Sequence, residues 1–184
     1  LDADTSEGHM VWVELDYIDG DPVLKESSKE LIAKAGSLDD QRVIGILFGP
    51  EGARNAAKES FTYGADTVYH IRHPSFTDFH LESFTAGLVA VSERVRPNTL
   101  LLTASDEGRE LGPRVAARMG VGITADCTDI EMDGGVLRMT RPTFGGKLMA
   151  TIISNTRPQM ATLRPGSFPE PEKQAGRQGT VINW

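Results

Sequence analysis

Val43-Ile44-Gly45-Ile46-Leu47-Phe48 is a nearly uninterrupted apolar run that stops at Gly49-Pro50. A strand that is apolar on both faces is buried on both, which is the condition of a strand in a parallel sheet covered by helices. The residues after it agree. Ala53, Ala56, Ala57 and Phe61 recur at helical spacing, and Gly64 stands where a helix would close. Val68 to Ile71 is a further strand. Leu81, Phe84, Leu88, Val91 and Val95 follow at steps of three, four, three and four, which puts them on one helical face. Pro97-Asn98 ends that helix. Thr99 to Thr103 is again apolar at its centre, and a helix is expected from about Glu110 to Met119, with Pro113 in its first turn, where a missing N–H costs least. Upstream, Val11 to Leu15 reads as a strand and Lys25 to Ala35 as a helix ended by Gly36. Alternating strands and helices imply right-handed βαβ units. The expected fold is a three-layer α/β/α domain with a mainly parallel, Rossmann-like sheet.

The last third changes character. Thr124 to Met132, Val136 to Thr140, Leu148 to Ser154 and Gln159 to Leu163 are β-like, with Asp133-Gly134-Gly135 and Gly145-Gly146 as turns. The parallel sheet is therefore expected to be extended by strands and hairpins rather than by another βα unit. At the start, Leu1 to Met10 carry no period and Gly8-His9-Met10 resembles a cloning remnant, so residues 1–10 are expected to be a tail and 11–168 the domain. Beyond Phe168 the composition is that of a linker, with Pro169 and Pro171, before the apolar Thr180-Val181-Ile182-Asn183-Trp184. A strand opening there finds no evident pairing partner in the sequence. Residues 169–184 are read as a linker and the start of a further, absent domain.

The chain has 184 residues, of which 39% are hydrophobic and 24% charged, a globular mix. Its 19 basic and 26 acidic residues give a net charge of −7, which disfavours nucleic acid or an anionic membrane surface as the main partner. No apolar run approaches the roughly 20 residues of a membrane-spanning helix. No signal peptide is visible, and one cysteine, Cys127, excludes an internal disulfide framework, so a cytoplasmic setting is expected.

The strand end at Gly49-Pro50-Glu51-Gly52-Ala53 is where an open α/β sheet binds ligands. It lacks a dinucleotide fingerprint and a P-loop, and Glu51 would sit where a phosphate belongs. Ser105-Asp106-Glu107-Gly108 repeats the pattern after the strand Thr99 to Thr103, and both turns read as self-capped. His70, His73 and His80, with Asp78 between them, match no recurring metal spacing. Ser105 is not in a nucleophile elbow, and Cys127, in an alternating segment, reads as a small buried residue. No catalysis by this chain alone is expected.

The second part is basic within an acidic protein. Arg138, Arg141, Lys147, Arg157 and Arg164 punctuate its β-like segments, and three of these arginines precede proline, which holds the arginine backbone extended. Two readings stay open. These are solvated edge strands protected by proline, or they form a surface for a partner protein or an anionic cofactor held by one.

Gly108 to Gly120 (GRELGPRVAARMG), Thr124 to Thr128 (TADCT), Thr140 to Gly146 (TRPTFGG), Arg157 to Gly166 (RPQMATLRPG) and Tyr63 to Tyr69 (YGADTVY) resemble the α subunit of electron transfer flavoproteins, in consistent order from about Val11 to Phe168. The resemblance implies an N-terminal domain that packs on a β subunit. It implies FAD in the full-length heterodimer, bound mainly by a C-terminal domain, with AMP or a second FAD in the β subunit and none held by this chain alone. It further implies dehydrogenases and a quinone or ferredoxin acceptor as partners. The form of TADC and TRPxFGG resembles the branch with electron-bifurcating and nitrogen-fixation-associated members. By that similarity Arg141 approaches a flavin held by the β subunit, with Thr124, Asp126 and Cys127 nearby. The rival reading is an adenine-nucleotide sensor of universal-stress type, which requires a phosphate turn that Gly49 to Gly52 supplies weakly.

Overall fold

The computed structural model describes residues 8–184. Seven strands form one parallel sheet in the order β12–β5–β4–β1–β6–β11–β7. They are β1 (Gly8–Val13), β4 (Arg42–Gly49), β5 (Thr67–Arg72), β6 (Thr99–Thr103), β7 (Ile123–Cys127), β11 (Gln159–Leu163) and β12 (Thr180–Asn183). Every pairing among them is parallel. The chain begins at the centre with β1, steps outward through β4 and β5, then returns to lay β6 on the other side of β1. The strand order thus reverses between β1 and β6.

Helices cover both faces. On one side α1 (Glu26–Gly36) and α2 (Arg54–Thr62) bury Leu31, Ile32, Ala35, Ala56, Ala57 and Phe61 against Val11, Val43, Leu47 and Val68. On the other, α3 (Leu81–Val95) and α4 (Asp106–Met119) bury Phe84, Leu88, Val91, Leu111 and Val115 against Met10, Ile44, Ile46, Leu100 and Leu102. Alternate residues of β1 and β4 go to opposite cores, which is why Met10–Val13 and Val43–Phe48 are apolar on both faces. The stripe Phe84, Leu88, Val91, Val95 is buried as its spacing requires. No helix among the described residues is long and apolar enough to cross a membrane.

Two small antiparallel sheets complete the domain. β2 (Leu15–Ile18) and β3 (Asp21–Leu24) form a hairpin around Asp19-Gly20, both with positive φ (52° and 88°), the geometry that a two-residue hairpin turn demands. β8 (Asp129–Asp133), β9 (Val136–Thr143) and β10 (Leu148–Ile152) form the other, in the order β10–β9–β8. Ile130, Leu137 and Met139 fasten it to the α1/α2 core. Gln159 ties it to the main sheet, accepting from Leu137 N–H at 2.7 Å and donating to the Gly135 carbonyl at 3.1 Å.

Four expectations need correction. The segment Thr124 to Met132 is two strands in two sheets, so the main sheet is extended in parallel by β11 and β7 while the hairpins stand apart. Helix α4 starts at Asp106, four residues earlier than expected, because Ser105 caps it by accepting from Gly108 N–H at 3.1 Å. Pro113 therefore lies inside the helix rather than in its first turn. Gly8, His9 and Met10 belong to β1; His9 is fully buried, with its ring nitrogens 3.0 Å from Thr99 Oγ1 and 2.9 Å from Asp39 Oδ1. The rest of the expected tail, residues 1–7, lies outside the described residues. Finally, β12 does find a partner. It pairs with β5 from Thr180↔Thr67 to Asn183↔His70, and Trp184 packs on Tyr69 beneath the Arg94 guanidinium. The stretch before it is tied down by Arg177, which reaches Asp66 at 2.7 Å and the Gly64 carbonyl at 3.1 Å.

Candidate functional site

The reversal of strand order makes the crevice beyond β1 and β6 the first place to look for a ligand. Here that crevice is closed by side chains. Glu14, the residue after β1, is 5% exposed. Its Oε1 accepts from Ser105 Oγ at 2.7 Å and from Lys25 Nζ at 3.3 Å, while Oε2 is buried without a partner. Burial raises the Glu14 pKa from its ordinary value, against the pull of Ser105 and Lys25. Burial works against the charge of Lys25, yet the charge and hydrogen bond of Glu14, joined by the charges of Glu107 and Asp16, together outweigh it and the ammonium pKa rises. The cleft outside, about 270 Å³, is lined by the acids Glu14, Asp78 and Glu107 against one cation, Lys25, which is paired with Glu14, together with Trp12 and Tyr17. Its charge has the wrong sign for a phosphate.

The second turn is also occupied. Glu51 is paired with Arg72. These residues do not fit a nucleotide held by this chain, which counts against the nucleotide-sensor reading. The signal for Glu14 was available in the sequence as an acid directly after an apolar strand, next to the β2–β3 turn, but it was not singled out. The histidines do not converge: His70 is buried, His73 bonds to Ser75, and His80 is exposed. No group of three or more His, Cys, Asp or Glu among the described residues could hold a metal ion.

Charge gathers instead at the far edge of the main sheet. The β7–β11 ladder passes from Thr124↔Ala161 to Cys127↔Leu163, so β7 carries one extra residue there. This bulge turns the chain at Asp126, whose φ is +60° and whose N–H donates to Thr162 Oγ1 at 2.8 Å. The Asp126 carboxylate thereby meets Arg164, which follows β11, in a two-pronged pair of 3.1 and 2.6 Å, and lies 3.9 Å from Arg109 of α4. Hydrogen bonds from Arg164, reinforced by the charges of Arg109 and Arg141, hold the Asp126 pKa below its ordinary value. Two guanidinium groups thus lie against one carboxylate and a third, Arg141, acts on it through its charge, a local surplus of positive charge within an acidic chain.

The four residues expected to form a site sit in this neighbourhood. Thr124 and Cys127 are buried, and the Cys127 thiol lies 3.5 Å from the Thr124 carbonyl. Burial pushes that thiol up to about 12, even with the Arg141 charge pulling the other way. Arg141, on β9, acts electrostatically on both Asp126 and Cys127, and its Nε is a buried donor without a partner. Arg164 belongs to the basic set read from the sequence as a possible surface for a partner or an anionic cofactor, whereas Arg109, which joins it from α4, was not singled out. Ser105, weighed as a nucleophile, is committed to Glu14 and to capping α4.

A model of the electron transfer flavoprotein domain matches residues 17–184. Protein FixB of Azorhizobium caulinodans is 40% identical over 179 residues, covering 94% of this chain and 48% of that protein. The electron transfer flavoprotein subunit alpha of Thermoanaerobacterium thermosaccharolyticum is 36% identical over 160 residues, covering 84% and 48%. Subunit LctC of the lactate dehydrogenase (NAD(+),ferredoxin) of Acetobacterium woodii is 38% identical over 178 residues, covering 94% and 41%. The chain spans about half the length of the curated relatives it matches. With its parallel sheet, its closed switch point and a family match over nearly its whole length, this chain belongs to the electron transfer flavoprotein domain family.

Proposed function

We propose that this chain is the N-terminal domain of an electron transfer flavoprotein α-type subunit. It packs on a second, β-type subunit and borders a nucleotide or flavin held there, and it performs no catalysis itself. FAD in the assembled protein is bound mainly by residues other than these 184. Dehydrogenases, with a quinone or ferredoxin acceptor, are the electron-transfer partners, in a cytoplasmic setting. The names of the relatives support this reading, since they include a flavoprotein subunit alpha and a subunit of a ferredoxin-dependent lactate dehydrogenase.

The observation that carries the site assignment is the guanidinium cluster. Arg109, Arg141 and Arg164 outnumber Asp126, and Arg141 keeps a buried donor without a partner. That arrangement fits an anionic group presented from outside the chain. A flavin supplies reversible electron storage when bound. Arg141, with Asp126 fixing the local charge and Thr124 and Cys127 on the same β7 segment, would favour the more negatively charged state of such a group, because an opposite charge favours the charged state. Such an arginine raises the reduction potential of a neighbouring flavin.

The test is Arg141→Ala in the assembled heterodimer of the full-length chain. The expected result is a more negative midpoint potential and weaker retention of a β-bound flavin, with the heterodimer intact. An unchanged potential and unchanged retention would remove Arg141 from the site. Flavin content separates the two forms of the proposal: two flavins per heterodimer place FAD beside Arg141, and one places AMP there.

A further inference from the structure

The cleft outside the β1/β6 crevice has the wrong charge for a phosphate and the right one for a cation. Four parts of the fold build it. Trp12 and Glu14 come from β1 and the residue after it, Tyr17 from the β2–β3 hairpin, Asp78 and Phe79 from the loop between β5 and α3, and Glu107 from α4. The loop is held in place by its own rings. Phe76 lies 5.3 Å from the rings of both Phe48 and Phe84, and Phe79 lies 5.0 Å from Phe84 and 6.4 Å from Trp12. Asp78 is thus carried between two anchored phenylalanines. Its charge reaches the hairpin opposite, where burial and then Asp78 raise the Tyr17 pKa. Aromatic faces and carboxylates share one concave site at the sheet's switch point, the usual place for a ligand in such a sheet.

The acids there are not neutralised from within. Lys25 is committed to Glu14 Oε1 at 3.3 Å, and neither Asp78 nor Glu107 has an ion pair among the described residues. The N-terminus of α4 adds roughly half a positive charge, which Asp106 and Glu107 in its first turn outweigh. Glu14 is 5% exposed, yet its Oε2 meets no donor, a costly state for a buried carboxylate oxygen. That oxygen selects among cations. A metal ion is disfavoured, because no three acidic or histidine groups among the described residues converge on one point. A quaternary ammonium has no N–H to give. A primary ammonium has three, and its carbon skeleton suits aromatic walls that also attract the charge. The volume of about 270 Å³ limits the skeleton to a small one. We propose that this cleft binds a small primary amine as its ammonium ion. Its N–H groups are directed at the Glu14 carboxylate, its charge is balanced by Asp78 and Glu107, and its skeleton lies against Trp12, Tyr17 and Phe79.

The experiment is isothermal titration calorimetry of the full-length chain with 2-phenylethylamine, beside 2-phenylethanol and phenylacetate as neutral and anionic counterparts. The amine is expected to bind with a Kd below about 1 mM and at least about tenfold more tightly than the alcohol, with no binding of phenylacetate. Glu14→Gln should weaken the amine by about tenfold or more, the scale of a hydrogen bond to a buried charge. Asp78→Asn and Glu107→Gln should each weaken it roughly threefold with unchanged thermal melting, and they keep the test independent of the buried Glu14. Tyr17→Ala should weaken amine and alcohol alike. No heat with the amine at about ten times that Kd, or equal affinity for amine and alcohol, overturns the proposal. So does amine binding that Asp78→Asn, Glu107→Gln and Glu14→Gln all leave unchanged, since the amine then binds elsewhere. An ammonium could also come from a lysine of a second subunit. Amine affinity kept in the assembled heterodimer supports a free amine, and affinity lost there overturns it, the cleft then being covered on assembly.

Discussion

Ser105 Oγ donates a 2.7 Å hydrogen bond to Glu14 Oε1 and so bridges the residues that follow β1 and β6, at the point where the strand order reverses. The same Oγ accepts from Gly108 N–H and caps α4. One hydroxyl therefore closes a ligand crevice and starts a helix. Ser105→Ala removes both contacts and leaves a buried carboxylate short of a donor. The expected loss is about 2–3 kcal/mol, read from urea denaturation, by summing a cap and a hydrogen bond to a buried charged group. A loss below a few tenths of a kcal/mol would mean that the crevice is held shut by other contacts.

Glu14 gives stability a pH dependence of a particular sign. Burial raises its folded-state pKa above the ordinary 4.5, so the folded state holds this proton more tightly than the unfolded state. Its contribution is fully present below 4.5 and is lost as pH rises through the folded-state value. Glu14→Gln cannot titrate. The melting temperature of the native chain relative to Glu14→Gln should therefore fall on going from about pH 4 to about pH 8, with a level difference counting against the assignment.

Gly108 stands in the first turn of α4 because nothing larger fits. A Cβ there would lie 1.9 Å from the Thr103 carbonyl oxygen, a backbone atom that cannot step aside without moving β6. Gly52 is the control, since a Cβ there meets only Pro22 at 3.7 Å. Gly108→Ala is expected to cost more than about 3 kcal/mol or to abolish folding, in the range of severe overpacking. Gly52→Ala should change stability by less than about 0.5 kcal/mol. Circular-dichroism melts of the two variants decide it, and similar melts would show that β6 and α4 can separate.

Cys127 is buried and its thiol is pushed up to about 12, so at neutral pH it is almost entirely protonated. It is expected to resist thiol reagents in the folded chain and to react at once in denaturant. Rapid native-state labelling at neutral pH would contradict both its burial and its place in the α1/α2 core.

The layers of this fold were legible because each helix writes its buried stripe in the sequence, as Ala56, Ala57 and Phe61 do for α2. The pairing of β12 was not legible, since the free edge of β5 that receives it is created by tertiary structure. Nor was the entry of Gly8, His9 and Met10 into β1, because two of the three are small or polar and gain their burial from Thr99, Asp39 and the strands on either side. For the candidate site, Arg141 and the Thr124–Cys127 segment came from motif resemblance. The convergence of Arg109 and Arg164 on Asp126 depends on a one-residue bulge, and a bulge leaves no periodic trace.

That bulge supplies the sharpest test of the site's geometry. Asp126 holds a φ of +60°, which an L-residue other than glycine adopts at a cost, eased for Asp and Asn by local hydrogen bonding. Asp126→Ala and Asp126→Gly both delete the pair with Arg164, so the ion pair cancels in their comparison. Only alanine keeps the backbone penalty. Asp126→Gly should therefore be more stable than Asp126→Ala by about 1 kcal/mol. The native chain also carries the lowered Asp126 pKa, whose stabilisation is present above the ordinary 3.8 and is lost as pH falls through the folded-state value. Its advantage over Asp126→Gly should shrink in acid. Equal stability of the Ala and Gly variants would mean that β7 relaxes out of the left-handed turn, and the carboxylate would then not be fixed among the three arginines.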